Sequence, residues 1–127
     1  MTYERTVGKR LQRRIEEGDL EGKLMPAQWF RFEDENGRGY CQTDYYIICA
    51  GFIVLLECKL TQTQMAEGQM TELYVPILKH IYECPIICVQ VFKNVRHKIS
   101  NRLSDISILT EEPNHPKTGV WNWHYIP

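Results

Sequence analysis

The chain has 127 residues, 43% hydrophobic and 24% charged, with a formal net charge of −1; that is one ordinary globular domain, neither disordered nor fibrous. Its longest apolar run, Ile47 to Leu56, is interrupted by Ala50-Gly51 and falls short of the roughly 20 residues that span a bilayer. The opening MTYERTVGKRLQRR lacks the apolar segment of a secretory leader, so a cytoplasmic protein with no membrane partner is expected, in the host cytoplasm if the chain is viral.

Tyr3, Val7, Leu11 and Ile15 recur every four residues and predict a first helix that stops at Gly18. A loop to Pro26 follows, then a strand in QWFRFED, a turn at ENGRG and a second strand from Tyr40 to Ile48. Ala50-Gly51 turns the chain into a third strand, Phe52 to Leu60. Met65, Met70, Leu73, Ile77 and Ile81 then have helical spacing, with Pro76 expected to kink or divide that helix. Ile86 to Phe92 is almost continuously apolar and predicts a strand buried on both faces, parallel to a central neighbour. A short helix is expected over Val95 to Leu103. The Trp121-Asn122-Trp123 tail either docks on the core or forms a partner surface. One domain over 1–127 results, with a core at about 3–93 and an extension from 94.

Five cysteines, Cys41, Cys49, Cys58, Cys84 and Cys88, are odd in number and lie mostly in apolar stretches, which favours buried thiols. A zinc site from His80, Cys84 and Cys88 lacks the paired spacing of structural zinc.

Three charges frame the hydrophobic hairpin TDYYIICAGFIVLLECKLT: Asp44, Glu57 and Lys59. Strand alternation puts Glu57 and Lys59 on one side and turns Cys58 into the core. The antiparallel hairpin brings Asp44 alongside Glu57. Two adjacent carboxylates repel unless a cation joins them, and hard divalent cations prefer such oxygens, with the Cys58 carbonyl as a further ligand. Lys59 would then orient water or stabilise charge on an attacked phosphate. The competing reading is a surface ion pair between Glu57 and Lys59, with Asp44 unrelated.

The arrangement resembles the PD-(D/E)xK nuclease superfamily, in which an Asp is followed by Glu-x-Lys on the next strand; Asp44, Glu57 and Lys59 match those positions. The resemblance implies an α/β fold with an αβββαβ restriction-endonuclease-like core, a mixed central sheet flanked by helices. It also implies Mg²⁺ or Mn²⁺ held by Asp44 and Glu57, Lys59 assisting phosphodiester hydrolysis, and Gln69 supporting the site from the following helix. Tyr74 lies five residues after Gln69, whereas the QxxxY spacing of the RecB-like branch puts its aromatic at Leu73. GKRLQRR resembles the GxxFER pattern of archaeal-type Holliday-junction resolvases at Gly8, Leu11 and Arg13, but Gln12 stands where an acid belongs. Gln12 with a neutral oxygen, or Glu16 one turn later, would fill that ligand position.

The functions implied are a DNA nuclease acting on branched or replication and recombination DNA, an end-processing exonuclease, or a non-cleaving nucleic-acid-binding or assembly protein on the same fold. Small phage nucleases share these features. The DNA partner would be branched, flapped or open-ended, and a homodimer or partner protein would supply further recognition surface. Arg10, Arg13, Arg14, Lys93, Arg96 and Lys98 become phosphate contacts, with Tyr74 beside them; as plain composition, the basic residues are solvated helix faces.

Overall fold

The computed structural model describes residues 3–61, 64–94, 102–103 and 120–124. Helix α1, Tyr3–Glu16, buries Val7, Gly8 and Leu11, and the chain leaves it at Gly18, whose φ is +83°. The helix and its stop agree with the four-residue stripe and the glycine behind it. The next stretch, expected as loop, contains a short strand β1, Lys23–Met25. Three residues carry too little periodicity to be recognised locally; pairing with a later strand makes this one.

β2, Gln28–Asp34, and β3, Gly37–Thr43, form an antiparallel ribbon of their own. Asp34 caps its turn by accepting the Asn36 N–H at 2.8 Å. The expected strand from Tyr40 to Ile48 is therefore two strands. The chain bends at Asp44, and β4, Tyr45–Ile48, enters a different sheet between β1 and β5, Ile53–Thr61. The Ala50-Gly51 turn joins β4 to β5 as predicted, with the Cys49 N–H donating to the Phe52 carbonyl.

The helix after β5 is divided, as Pro76 predicts, but by a π-turn. α2, Gln64–Gln69, passes through a π-helical turn at Met70–Tyr74 into α3, Val75–Tyr82. The Val75 N–H reaches back five residues to the Met70 carbonyl. In an unbroken α-helix the Pro76 ring would strike the carbonyl four residues earlier, and the wider turn immediately upstream relieves that conflict. α3 is tied to β4 by a 2.7 Å hydrogen bond between the Tyr46 and Tyr82 hydroxyls.

β6, Ile86–Asn94, lies parallel to β5 as expected. The tryptophan tail docks on the core, the first of its two expected readings, with Trp123 buried. It is strand β8, Val120–His124, parallel to β6, with the two-residue β7, Arg102–Leu103, beyond it. The core thus reaches past residue 94. Of the helix expected over 95–103, Arg102 and Leu103 are in this strand and the rest lies outside the described residues. The result is a mixed α/β fold whose six-stranded sheet has the order β1-β4-β5-β6-β8-β7.

Strand alternation divides the core between two faces. On one, Val54, Leu56, Cys58, Val89, Val91 and Trp123 pack against Val7 and Leu11 of α1. On the other, Ile53, Leu55 and Cys88 pack against Met70, Tyr74 and Leu78 of the divided helix and against Cys41 of the ribbon. α1 comes close because Gly8 has no side chain: a Cβ there would lie 2.4 Å from the Tyr45 hydroxyl. Gly8→Ala is expected to destabilise the protein by about 1–3 kcal/mol through overpacking, read as a lower urea midpoint with an unchanged slope.

Candidate active site at the strand break

Asp44 stands where the chain changes sheets. Tyr45 and Leu56 form the last pair of the β4–β5 ladder, so the next β5 amide directed to that side, that of Cys58, has lost its strand partner. Asp44 Oδ2 takes its place, accepting the Cys58 N–H at 2.8 Å. The carboxylate therefore continues the ladder by one bond and is held rigidly against β5. Thr43, the residue before the bend, is buried with its Oγ1 lacking a hydrogen-bond partner among the described residues.

Glu57 and Lys59 share the sheet face opposite Cys58, as alternation predicts. Glu57 is only 4% exposed. Its Oε1 lies 3.9 Å from Lys59 Nζ, a loose pair at the rim. Its Oε2 is buried with no hydrogen-bond partner among the described residues. Burial, and then the Asp44 charge, push the Glu57 carboxyl up to about 8, although Lys59 pulls it down. A surface ion pair does not describe this group: it is interior, crowded by a second acid and short of donors.

The surroundings of Glu57 are built from three further elements. Cys41 of β3 is buried, and its thiol is pushed up by burial and then by the Glu57 charge. Tyr74, at the end of the π-turn, is buried, and its hydroxyl is raised by burial, Glu57, Cys41 and Asp44 in that order. Gln90 of β6 lies directly beside Glu57 in the parallel register and is fully buried. Sequence reasoning missed Gln90, although a single amide inside the apolar run IICVQVF was a signal.

Gln69 is exposed at the end of α2. Tyr74, five residues on, is buried, so the two side chains do not share one environment. The turn over Met70–Tyr74 between them is π-helical, closing its bond over five residues.

The first-helix ligand candidates are not brought to the acids. Gln12 and Glu16 are exposed, with Gln12 Nε2 donating to Glu16 Oε1 at 3.2 Å. α1 packs on the other face of the sheet, and the acid on it whose charge reaches Cys58 and Tyr45 is Glu4. Gln12 lies about 12 Å further along the helix axis than Glu4, and Glu16 about 18 Å.

Among the basic candidates, the Arg10 guanidinium lies 5.7 Å from the Trp123 ring centre and Lys93 Nζ 5.6 Å from that of Tyr3, both on the α1 side. Arg13 is exposed and Arg14 half-buried, on the same helix. Arg96 and Lys98 lie outside the described residues. Cys88 is buried and its thiol is pushed up to about 12, which disfavours the thiolate that zinc requires.

The donor set suits a hard divalent cation: two carboxylates, one with a buried oxygen lacking any donor, and the backbone carbonyl of Cys58 between Glu57 and Lys59. It holds two acidic side chains and no more; among the described residues no group of three or more His, Cys, Asp or Glu side chains forms a metal cluster. No protein-family model matches the chain, and neither curated proteins nor solved structures give a match.

Proposed function

We propose that this chain is a divalent-metal-dependent nuclease that hydrolyses phosphodiester bonds in DNA, with a restriction-endonuclease-like core of the PD-(D/E)xK kind. The observation that carries the reading is the buried Glu57 carboxyl beside Asp44, with an unsatisfied oxygen and a lysine at the rim. Two acids this close, one of them buried, are relieved either by protonation of Glu57 or by a cation that they share. With the β2–β3 ribbon set aside as an insertion between β1 and β4, the order is helix–β1–β4–β5–helix–β6, with β4–β5 antiparallel and β5–β6 parallel, and this supports the same family.

Asp44 and Glu57 would hold Mg²⁺ or Mn²⁺, with the Cys58 carbonyl as a third donor. A bound cation would supply charge for the scissile phosphate and acidify a water. Lys59 is placed to orient the attacking water or to balance charge on the phosphate, because its ammonium stands at the rim above Glu57. Asp44 is held in place by the Cys58 N–H. Tyr74 and Gln90, both buried, flank Glu57, and Gln69, exposed at the end of α2, would support the site from that helix.

One observation favours a second reading, a nucleic-acid-binding protein without cleavage: the Asp44 bond to Cys58 gives that acid a structural task in the absence of metal. The two are separated by incubating the protein with labelled linear, single-stranded, flapped and four-way DNA in Mg²⁺, Mn²⁺ or EDTA. Cleavage in either metal, abolished by EDTA and by Asp44→Asn, is expected. DNA binding without cleavage of any substrate would sink the nuclease reading. The preferred substrate separates a resolvase from an end-processing enzyme, and cutting of both strands at a junction would require a dimer or a second protein.

A further inference from the structure

The β2–β3 ribbon has an inner face and an outer one. Phe30, Phe32 and Cys41 point inward onto the core beneath α3. Outward, Trp29 and Tyr40 remain 69% and 68% exposed. The register pairs Trp29 with Gln42, Arg31 with Tyr40 and Glu33 with Arg38, so these six side chains share one surface. Trp29 and Tyr40 are diagonal neighbours on it, about 7–8 Å apart. Arg31 is exposed between them and forms no ion pair with another described residue, whereas Arg38 is partly balanced by Glu33 at 3.8 Å.

Along β3 this surface ends one residue short of Asp44. Arg38, Tyr40 and Gln42 alternate outward along β3, and the next position in that series is Asp44. Gln42 stands about 7 Å from Asp44 along the chain and Tyr40 about 13 Å. Two exposed aromatic rings with a cation between them, on a stiff ribbon anchored in the core, form a stacking platform of nucleotide dimensions. A paired duplex hides its base faces in its own stack, so only an unpaired strand can use such rings. The outer face carries two arginines and one glutamate, and Asp34 brings the ribbon's two strands to neutrality, which makes stacking rather than phosphate attraction its main resource.

We propose that the outer face of the β2–β3 ribbon binds an unpaired stretch of DNA by stacking its bases on Trp29 and Tyr40, and directs that strand to Asp44 and Glu57. The identity of the ligand as DNA rests on the nuclease reading above; the platform itself rests on the ribbon. The substrate class is therefore DNA with a single-stranded segment next to the cut, such as a flap, a frayed end or an open fork.

Binding is measured in EDTA, where nothing is cut, with a labelled thymidine oligonucleotide and a blunt hairpin duplex of equal length. Trp29→Ala and Tyr40→Ala are each expected to weaken single-strand binding by about 5- to 100-fold, the range for loss of one stacked base. Duplex binding should be unchanged. Trp29→Phe should restore most of the loss, which a folding defect would not allow. Arg31→Gln should reduce the salt slope by about 0.7, one phosphate contact on a single strand. Single-strand binding that is unchanged in both alanine variants would overturn the proposal, as would a wild-type preference for the duplex. So would a wild-type dimer that both alanine variants dissociate, because a second copy would then cover the ribbon. Cleavage that requires Asp44 but ignores Trp29 would remove the ribbon and leave the nuclease. Trp29-dependent binding with no cleavage in metal would do the reverse.

Discussion

With Mg²⁺ or Mn²⁺ present, Lys59→Ala is expected to slow phosphodiester cleavage by about 10²–10³-fold, the usual loss when one positioned charge-stabilising group is removed. Lys59 is well placed for such a role. Its Cα sits on the central strand β5, yet more than a third of its side chain reaches solvent, and among the described residues it pairs with Glu57 at 3.9 Å. A lysine held merely as an ion-pair partner would affect stability at most slightly at such exposure. The melting temperature of the variant should therefore stay near that of the wild type while turnover falls. Arg in its place should not restore the rate, because a planar guanidinium does not reproduce a compact ammonium. Undiminished cleavage by Lys59→Ala would remove the lysine from the chemistry.

Glu57→Gln should have the opposite balance: activity lost, stability gained. The folded protein holds the Glu57 proton up to about 8, against 4.5 for the free group, because of burial and the neighbouring Asp44 charge. Between those two values the unfolded chain has released this proton and the folded chain has not. Folding stability from this group is thus full below about 4.5 and falls as pH rises towards 8. The isosteric amide cannot ionise, so this fall should vanish. At pH 8 and without metal, the variant should be more stable than the wild type by on the order of 2–4 kcal/mol. Added Mg²⁺ or Mn²⁺ should raise the wild-type melting temperature at pH 8, with release of protons, and leave Glu57→Gln unmoved. Equal pH profiles for the two proteins would show that Glu57 is not held protonated. A metal response retained in the variant would show that Glu57 is not a ligand.

Much of the site was legible in the hairpin. The apolar alternation of IVLLECKL sends Glu57 and Lys59 to one face and Cys58 to the other, and the Ala50-Gly51 turn sets the antiparallel register that brings Asp44 to Glu57. What was hidden concerns Asp44 itself. A run from Tyr40 to Ile48 has uniform strand character, and nothing local announces that its first part pairs with β2 and its second with β1 and β5. Val7 and Leu11 of the four-residue stripe do lie on the buried side of α1, but Gln12 and Glu16, assigned by motif position, are exposed and paired with each other.

The sequence by itself determined the elements whose evidence is local. α1 follows from a four-residue stripe closed by glycine, the β2–β3 hairpin from Asn36-Gly37, β6 from an unbroken apolar run, and the division of the second helix from Pro76. Each depends on forces between residues a few positions apart. Only the tertiary structure decided that Lys23–Met25 and Val120–His124 are strands, that Gln90 lies beside Glu57, and that a π-turn carries Tyr74 to the acids. Strand pairing is a hydrogen-bonding relation between distant segments, and a three-residue strand or a tryptophan-rich tail acquires it only when a partner edge is present. The perturbed Glu57 belongs to the same class. Its charge is written in the sequence, but the burial that makes the charge costly exists only once β3, β5, β6 and the divided helix have closed around it.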